Sequence, residues 1–234
     1  MTAFDNPLDN PVWSSLSTVH APFAIAHGGV LRFQPEVAPF VAVEGPRAID
    51  RDTLDALVGD GTSFLLGPTV EVPAGWQLES LGTIVQMVCE RPIEVPDGPA
   101  IELLAAGDRP AILELAALVY PHYFRPRTAE LGRYHGILEG SATASGALGR
   151  LDAMIGERMA MPGLREISAV CTHPACVGRG LARRLLAHAS NAIFVAGETP
   201  FLHVSPANTR AVQLYEQNGY RRRIDMPFWS LRRA

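Results

Sequence analysis

Apolar and polar positions in this chain fall into two periods, one of about two residues and one near 3.6, and together they predict an alternation of strands and helices. Met1 to His20 is polar and holds Pro7 and Pro11, so it reads as a lead-in with one short helix. Gly29–Phe33 and Ala38–Glu44 read as strands. Ile49–Val58 carries Leu54, Leu57 and Val58 on one face and reads as a helix. Ser63–Leu66 is a short strand before Gly67-Pro68, and Leu81–Glu90 a longer one. Arg91 to Pro99 (RPIEVPDGP) is rich in breakers and reads as a linker. The pattern then restarts. Ile101–Leu104 is a strand. Arg109 to about Val119 is a helix with Ile112, Leu115 and Val119 inward, capped by Gly107-Asp108. Arg133–Leu138 and Leu151–Ala160 are strands around a hairpin turn, EGSATASGALGR. Tyr220–Ile224 and Pro227–Leu231 close the chain, with Arg221-Arg222-Arg223 as a solvated edge. The fold class is α/β (α+β), a mixed sheet flanked by helices. The expected division is a smaller α/β domain over residues 1–91, without a motif, and a second domain over 100–234.

One stretch carries chemistry. In Arg165–Ala182 (REISAVCTHPACVGRGLA) the apolar run Ile167–Cys171 reads as a buried strand. Thr172-His173-Pro174 ends it, because Pro174 has no amide to give a ladder. A turn with Gly178 and Gly180 follows, then a helix with Leu181, Leu185, Leu186, Ala189 and Ile193 on one face. Glycines admit a close ligand, and the first amides of a helix point outward at its positive end. Arg179, Arg183 and Arg184 add charge. The matching guest is a phosphate or pyrophosphate. A nucleoside-triphosphate loop, GxxxxGK[ST], is excluded, since the chain has no lysine. A dinucleotide loop fails at its third glycine, because the run is Gly178-Arg179-Gly180-Leu181-Ala182.

A second stretch, Pro200–Tyr220 (PFLHVSPANTRAVQLYEQNGY), holds a short apolar strand, Phe201–Val204. Asn208 or Thr209 is a helix N-cap, Ala211, Leu214 and Tyr215 share a face, and Gly219 is a helix stop. The two stretches together resemble the GNAT N-acetyltransferase superfamily. Its coenzyme A loop, [Q/R]-x-x-G-x-[G/A], is matched at Gly180 and Ala182, with Val177 in place of Gln or Arg. Its later hallmark, N-x-x-[AS]-x-x-[LF]-Y-x-x-x-G-[FY], is matched at Asn208, Ala211, Leu214, Tyr215, Gly219 and Tyr220. The resemblance spans roughly Ile101 to Arg233 and is nearest the glycine N-acyltransferase-like branch. It implies a GNAT fold, acetyl-CoA as co-substrate and no metal. Residues 1–91 then read as a packing or substrate-gating domain, or as a degenerate copy of the same fold, as tandem members of the family have.

The resemblance implies roles residue by residue. Amides around Val170, Cys171 and Thr172 would hold the thioester carbonyl and pantetheine. Val177, Gly178, Arg179, Gly180, Leu181, Ala182 and Arg183 would hold the pyrophosphate. Tyr215 would protonate the leaving thiolate. Asn208 would bond pantetheine, cap its helix, or both. Glu166 lies fourteen positions before Gly180, where histone-acetylating relatives carry a catalytic glutamate. A carboxylate entering an apolar strand is expected to have a raised pKa and to act as base. Pairing with Arg158 or Arg165 is the competing reading, and Glu157 is the second candidate. His173 reads as a turn residue. The segment YPHYFRPRTAELGRYHGI, with Tyr120, His122, Tyr123, Phe124, Arg125 and Arg127, reads either as a surface loop with its aromatics tucked down or as an acceptor lid whose arginines hold a carboxylate. Cys171 and Cys176 lack a readable His and carboxylate arrangement, so transfer is expected to be direct.

Composition trims the remaining classes. At 234 residues and 47% hydrophobic the chain can bury a sizeable core. A net charge of −4 gives no electrostatic case for nucleic acid. Cys89, Cys171 and Cys176 make no disulfide framework. No leader and no membrane span is read, so a cytoplasmic enzyme is expected, as monomer or homodimer. The expected function is acetyl transfer to a small amine or amino acid, against the alternative of a non-catalytic coenzyme-binding module.

Overall fold

The computed structural model of the chain describes residues 6–119, 123–139 and 149–234. Helix α1 (Pro11–Leu16) opens it, followed by strands β1 (Ala24–His27), β2 (Val30–Phe33) and β3 (Val41–Val43), which form an antiparallel sheet. Then come β4 (Arg47–Ala48), α2 (Arg51–Leu57), β5 (Ser63–Leu66), β6 (Val70–Glu71) and β7 (Trp76–Cys89). After a stretch without regular structure lie β8 (Glu102–Leu104), α3 (Arg109–Val119), β9 (Tyr134–Leu138), β10 (Leu151–Met161) and β11 (Leu164–Thr172). The chain closes with α4 (Leu181–Val195), β12 (Thr199–Val204), α5 (Thr209–Gln217) and β13 (Tyr220–Arg233).

Eight strands share one mixed sheet in the order β5-β13-β7-β12-β11-β10-β9-β8. Its neighbours are antiparallel except β11 and β12. Parallel strands need a long crossover, and α4 supplies it. That helix lays Leu181, Leu185, Leu186, Ala189 and Ile193 on the sheet, against Val85, Met87, Ile155 and Ile167. The other face is covered from the N-terminal side, where Leu8, Val12 and Leu16 pack with Phe33, Phe40, Met159, Phe201 and Phe228. Both faces of the central strands are therefore dry, which is why β10 reads as a nearly unbroken buried run.

Four expectations change here. The linker around residues 91–99 separates no sheets: β5 and β7, from residues 1–91, lie within the same sheet as β8–β13, and β7 sits between β12 and β13. The closing strands are one strand, because β7 pairs with β13 along most of its length and a register shift next to Pro227 absorbs the missing donor. The arginine edge is half as expected. Over Tyr220–Pro227 the side away from β7 has no ladder partner, since pairing with β5 begins at Phe228. Arg223, however, turns in to Gln86 Oε1 (2.9 Å) and pairs with Asp9. Val119, expected inward, is 39% exposed. The expected hairpin turn after Leu138 lies largely outside the described residues.

Packing at β9 and β10 leaves no room for even a methyl group. A Cβ on Gly156 would stand 2.2 Å from the ring of Tyr134, itself fully buried. We expect Gly156→Ala to lower unfolding free energy by about 1–3 kcal/mol in urea denaturation. An unchanged midpoint would show that Tyr134 can move aside.

Candidate active site

Strands β11 and β12 are paired over four positions, from Leu164↔Thr199 to Ile167↔Leu202, and then part. On its other side β11 carries one extra residue: Cys171 faces Met154 and Ser168 faces Gly156, so three steps on β11 meet two on β10. The bulge contains Ala169, with φ +49°, the one non-glycine residue in the left-handed region among the described residues. An alanine there is disfavoured sterically and persists because the surrounding sheet holds it. The result is a segment, Ser168–Thr172, with no ladder partner on its β12 side.

A cavity of about 410 Å³ opens at this fork. Val170, Cys171, Asn208 and Tyr215 line it on one side, and Phe40, Leu81, Ile84, Tyr123 and Phe228 also contribute walls. Tyr215 is buried on α5 with its ring 6.0 Å from that of Tyr220, whose hydroxyl is 2.8 Å from Ser190 Oγ. Helix α5 is aimed by Asn208, whose Oδ1 accepts from the amide of Ala211 at 3.1 Å. Capping by Asn208 is thus visible. Val170, Cys171, Asn208 and Tyr215 thus line one cavity, and Thr172 follows at the end of β11.

The glycine turn lies at the start of α4. Gly178 and Gly180 have φ of +88° and +75°, and Gly180 is the N-cap. A Cβ at either would meet nothing within 4 Å. Conformation requires the glycines, and the space before them is open. The first helical bond is Arg184 N donating to Gly180 O at 3.1 Å, so the amides of Leu181, Ala182 and Arg183 have no partner within the helix. Val177 is 46% exposed beside them. The loop, the helix end and the open approach suit a pyrophosphate. The arginines divide. Arg183 is exposed on the first turn. Arg179 reaches Asp152 Oδ2 at 3.2 Å. Arg184, expected only to add charge beside the turn, donates to the carbonyls of Pro96 and Pro99 and ties α4 to the linker.

Glu166 does not have the environment expected of a base. It is fully buried, and both its oxygens are engaged. Arg158 donates from Nε to Oε2 (2.8 Å) and from Nη2 to Oε1 (2.7 Å). The Met159 amide donates to Oε2 at 3.2 Å, and His203 Nδ1 is 2.8 Å from Oε1. Burial pushes this carboxyl up, but Arg158, then His203, outweigh it and hold it down at about 2. The anticipated rise is reversed, and the pairing with Arg158 is the one that forms. Glu157 is engaged as well, by Arg133 Nε (2.9 Å), the Arg133 amide (3.1 Å) and Arg165 (3.5 Å). Arg165 itself pairs mainly with Glu198.

His203 Nε2 lies 3.1 Å from Gln86 Nε2. An amide nitrogen only donates, so His203 accepts there and carries its proton on Nδ1, toward Glu166. Gln86 and His203 face each other across β7 and β12. Neither residue was singled out from the sequence, although each is a polar residue in an apolar strand, and that was the available signal. Phe40 was missed too, and the guanidinium of Arg158, already named as a candidate partner of Glu166, lies 5.1 Å from its ring centroid. The expected lid is divided. Tyr120 and His122 lie outside the described residues, while Tyr123 lines the cavity. Arg127 is held by Glu130 (2.7 Å) and Glu36 (3.2 Å), and Arg125 is placed away from the cavity, so neither is the expected carboxylate holder. His173 caps a 3-10 turn through the Ala175 amide. Burial raises the Cys171 thiol to about 12, too high for a nucleophilic thiolate. Among the described residues no group of three or more His, Cys, Asp or Glu could hold a metal ion.

The model of the FR47-like protein family matches residues 146–230. Among solved structures, a GNAT-family protein from Novosphingobium aromaticivorans is 33% identical, with 98% of this chain and 100% of that one covered, at a TM-score of 0.83. A GCN5-related N-acetyltransferase from Kribbella flavida is 16% identical, with 94% and 93% covered and a TM-score of 0.61. A GCN5-related N-acetyltransferase-like protein from Streptococcus suis is 14% identical, with 96% and 94% covered and a TM-score of 0.55. The last two speak to the fold alone. No curated protein matches the chain.

The buried cluster makes a stability prediction. Glu166 has a folded-state pKa below its ordinary 4.5, so its contribution is present above that value and is lost as pH falls toward about 2. Glu166→Gln leaves Arg158 facing a neutral amide, and we expect it to lose about 3–5 kcal/mol at pH 7. Chemical denaturation at pH 7 and pH 3 checks this: the gap between variant and wild type should narrow at the lower pH. A gap that stays constant would remove the ion pair as its cause.

Proposed function

The chain belongs to the GNAT family, a family of acyltransferases, and from that premise we propose that it transfers an acetyl group from acetyl-CoA to the primary amine of a small molecule. Attack is direct, within one ternary complex. The observation that carries the proposal is the fork between β11 and β12, opening onto a cavity that Tyr215 lines. Acetyl-CoA, when bound, supplies an activated thioester. Its pyrophosphate would be held by the turn at Val177–Gly180, the amides of Leu181–Arg183 and the side chain of Arg179. Its pantetheine would run along Val170–Thr172 toward Asn208.

The chain's own groups then divide the work. Amides beyond the bulge at Ala169 donate to the thioester oxygen where negative charge develops. The Tyr215 hydroxyl gives its proton to the departing sulfur. With Glu166 and Glu157 both held in ion pairs, neither carboxylate removes the amine proton. The acceptor reaches the carbonyl as the neutral amine, its ammonium form disfavoured in the low-dielectric cavity. The high thiol pKa of Cys171 supports transfer without an acyl-cysteine. The likeness of the sequence to glycine N-acyltransferase-like proteins makes longer acyl chains the rival donor, decided by comparing acetyl- with longer acyl-CoA. We place the activity in the cytoplasm, where three free thiols stay reduced. No helix of the described residues is long and apolar enough to cross a membrane.

Calorimetric titration with acetyl-CoA tests the proposal. Wild type is expected to bind. Gly180→Glu is expected not to, because it places a bulky carboxylate on a left-handed residue where the pyrophosphate would lie. Tyr215→Phe is expected to bind within about threefold of wild type while losing about 100-fold in kcat, the usual scale of general-acid catalysis. Binding without turnover by wild type over a broad amine panel would favour the non-catalytic coenzyme-binding module. Failure of wild type to bind any acyl-CoA would overturn the proposal.

A further inference from the structure

We propose that the acceptor is an aromatic monoamine, bound with its ring against Phe40, Tyr123 and Phe228 and its nitrogen directed to the fork. The inference rests on the acyl-transfer reading of the same cavity and names the class of acceptor. Phe40, Tyr123 and Phe228 all line the cavity. They come from three distant parts of the chain and are locked together from behind by Phe64. Its ring is 5.0 Å from Tyr123, edge to face, and 5.6 Å from Phe228, stacked. Phe40 and Tyr123 stack at 6.5 Å, and Tyr123 lies 6.0 Å from Phe228. These are the separations at which aromatic rings attract. The wall is therefore fixed before a ligand arrives, and a further ring adds to it at little cost in ordering.

Charge narrows the class. Among the described residues lining the cavity there is no Asp or Glu, and the one ionic side chain is Arg158. A polyamine or aminoglycoside carries several ammonium groups into its site and needs carboxylates to receive them. Here the nearest carboxylate, that of Glu166, is fully buried and already taken by Arg158 and His203. Burial in a largely apolar pocket also favours the uncharged form of an amine, which is the form that attacks. A monoamine sheds one proton on entry, to solvent, and the new C–N bond forms as the C–S bond breaks. The second amine proton leaves to water, the thiolate takes its own from Tyr215, and Tyr215 is reprotonated from solvent, so protons and charge balance. Leu81 and Ile84 of β7 complete an apolar rim.

Two readouts separate this inference from the one it rests on: equilibrium binding of 2-phenylethylamine alone by calorimetry, and steady-state acetyl transfer to 2-phenylethylamine and spermidine. We expect 2-phenylethylamine to bind, and its kcat/KM to exceed that of spermidine at least tenfold. Phe228→Leu keeps the site filled and apolar and is expected to raise KM for 2-phenylethylamine about tenfold, with KM for acetyl-CoA unchanged. Leu81→Glu is a second variant with little risk to folding, since Leu81 is 43% exposed. It introduces the missing carboxylate and should shift the preference toward spermidine. Binding of 2-phenylethylamine without binding of acetyl-CoA would uphold the aromatic pocket and sink the transferase reading. Binding of acetyl-CoA with no binding or turnover of 2-phenylethylamine, or with spermidine preferred, overturns the inference and leaves acyl transfer standing.

Discussion

A parallel strand pair that opens partway along its length leaves backbone donors and acceptors unpaired in the middle of a protein, and the rest of this structure answers that constraint. Past Ile167 and Leu202 the ladder between β11 and β12 ends. Buried peptide groups need partners, so such a gap is tolerable where a ligand or water can supply them. The bulge at Ala169 turns the problem into a site. It adds a residue to β11 opposite β10, just past the last position paired with β12, and a bulge bends the strand that carries it. The strain of a left-handed alanine is the local cost, and ordered strands on β10 and β9 hold it in place.

The fork must also be kept from closing or unzipping further. Glu166 lies one residue before the last paired position on β11, and His203 one residue past it on β12, and their side chains meet at 2.8 Å. Arg158, from the neighbouring β10, grips the same carboxylate with two nitrogens. Three strands are thereby stapled at the point where two of them diverge. A dry ion pair of this kind contributes little net stability against an apolar replacement, so its value here is geometric: it fixes where the split begins. The position that family analogy marks for a catalytic base has in this chain been given to architecture. The difference follows from one residue, because Arg158 on the facing strand claims both oxygens.

Most of the strand and helix content could be read from periodicity, and α3 was read to its ends because Asp108 and the apolar spacing of Ile112 and Leu115 are local signals. The coenzyme turn and the cap at Asn208 were legible for the same reason: each is encoded within a few adjacent residues. What escaped was everything that depends on strand order. Nothing near Leu81–Glu90 says that this strand enters the sheet beside β12 and β13. The sequence left Glu166 as either a base or the partner of Arg158 or Arg165, and the choice needed the strand order that sets Arg158 and His203 against it; Arg127 read as available because Glu130 and Glu36 were not placed beside it. The aromatic wall escaped for the same reason, since its members come from positions 40, 64, 123 and 228.

Strand order also explains what the first ninety residues do. After leaving β11, β12 remains paired with β7, from Phe201↔Val88 to Val204↔Val85. One arm of the fork is therefore held open by a strand from the N-terminal part of the chain. That strand also places Leu81 and Ile84 on the cavity, and Gln86 on His203. The Gln86 side chain donates to the carbonyl of Leu8 and accepts from Arg223, so it links the lead-in, β13 and the buried cluster. Phe40 and Phe64 arrive by the same route, one immediately before β3 and one on β5. A part of the sequence with no motif of its own thus builds half of the site. It carries no motif because its contribution is shape and exclusion of water rather than chemistry, and many apolar sequences supply those equally well.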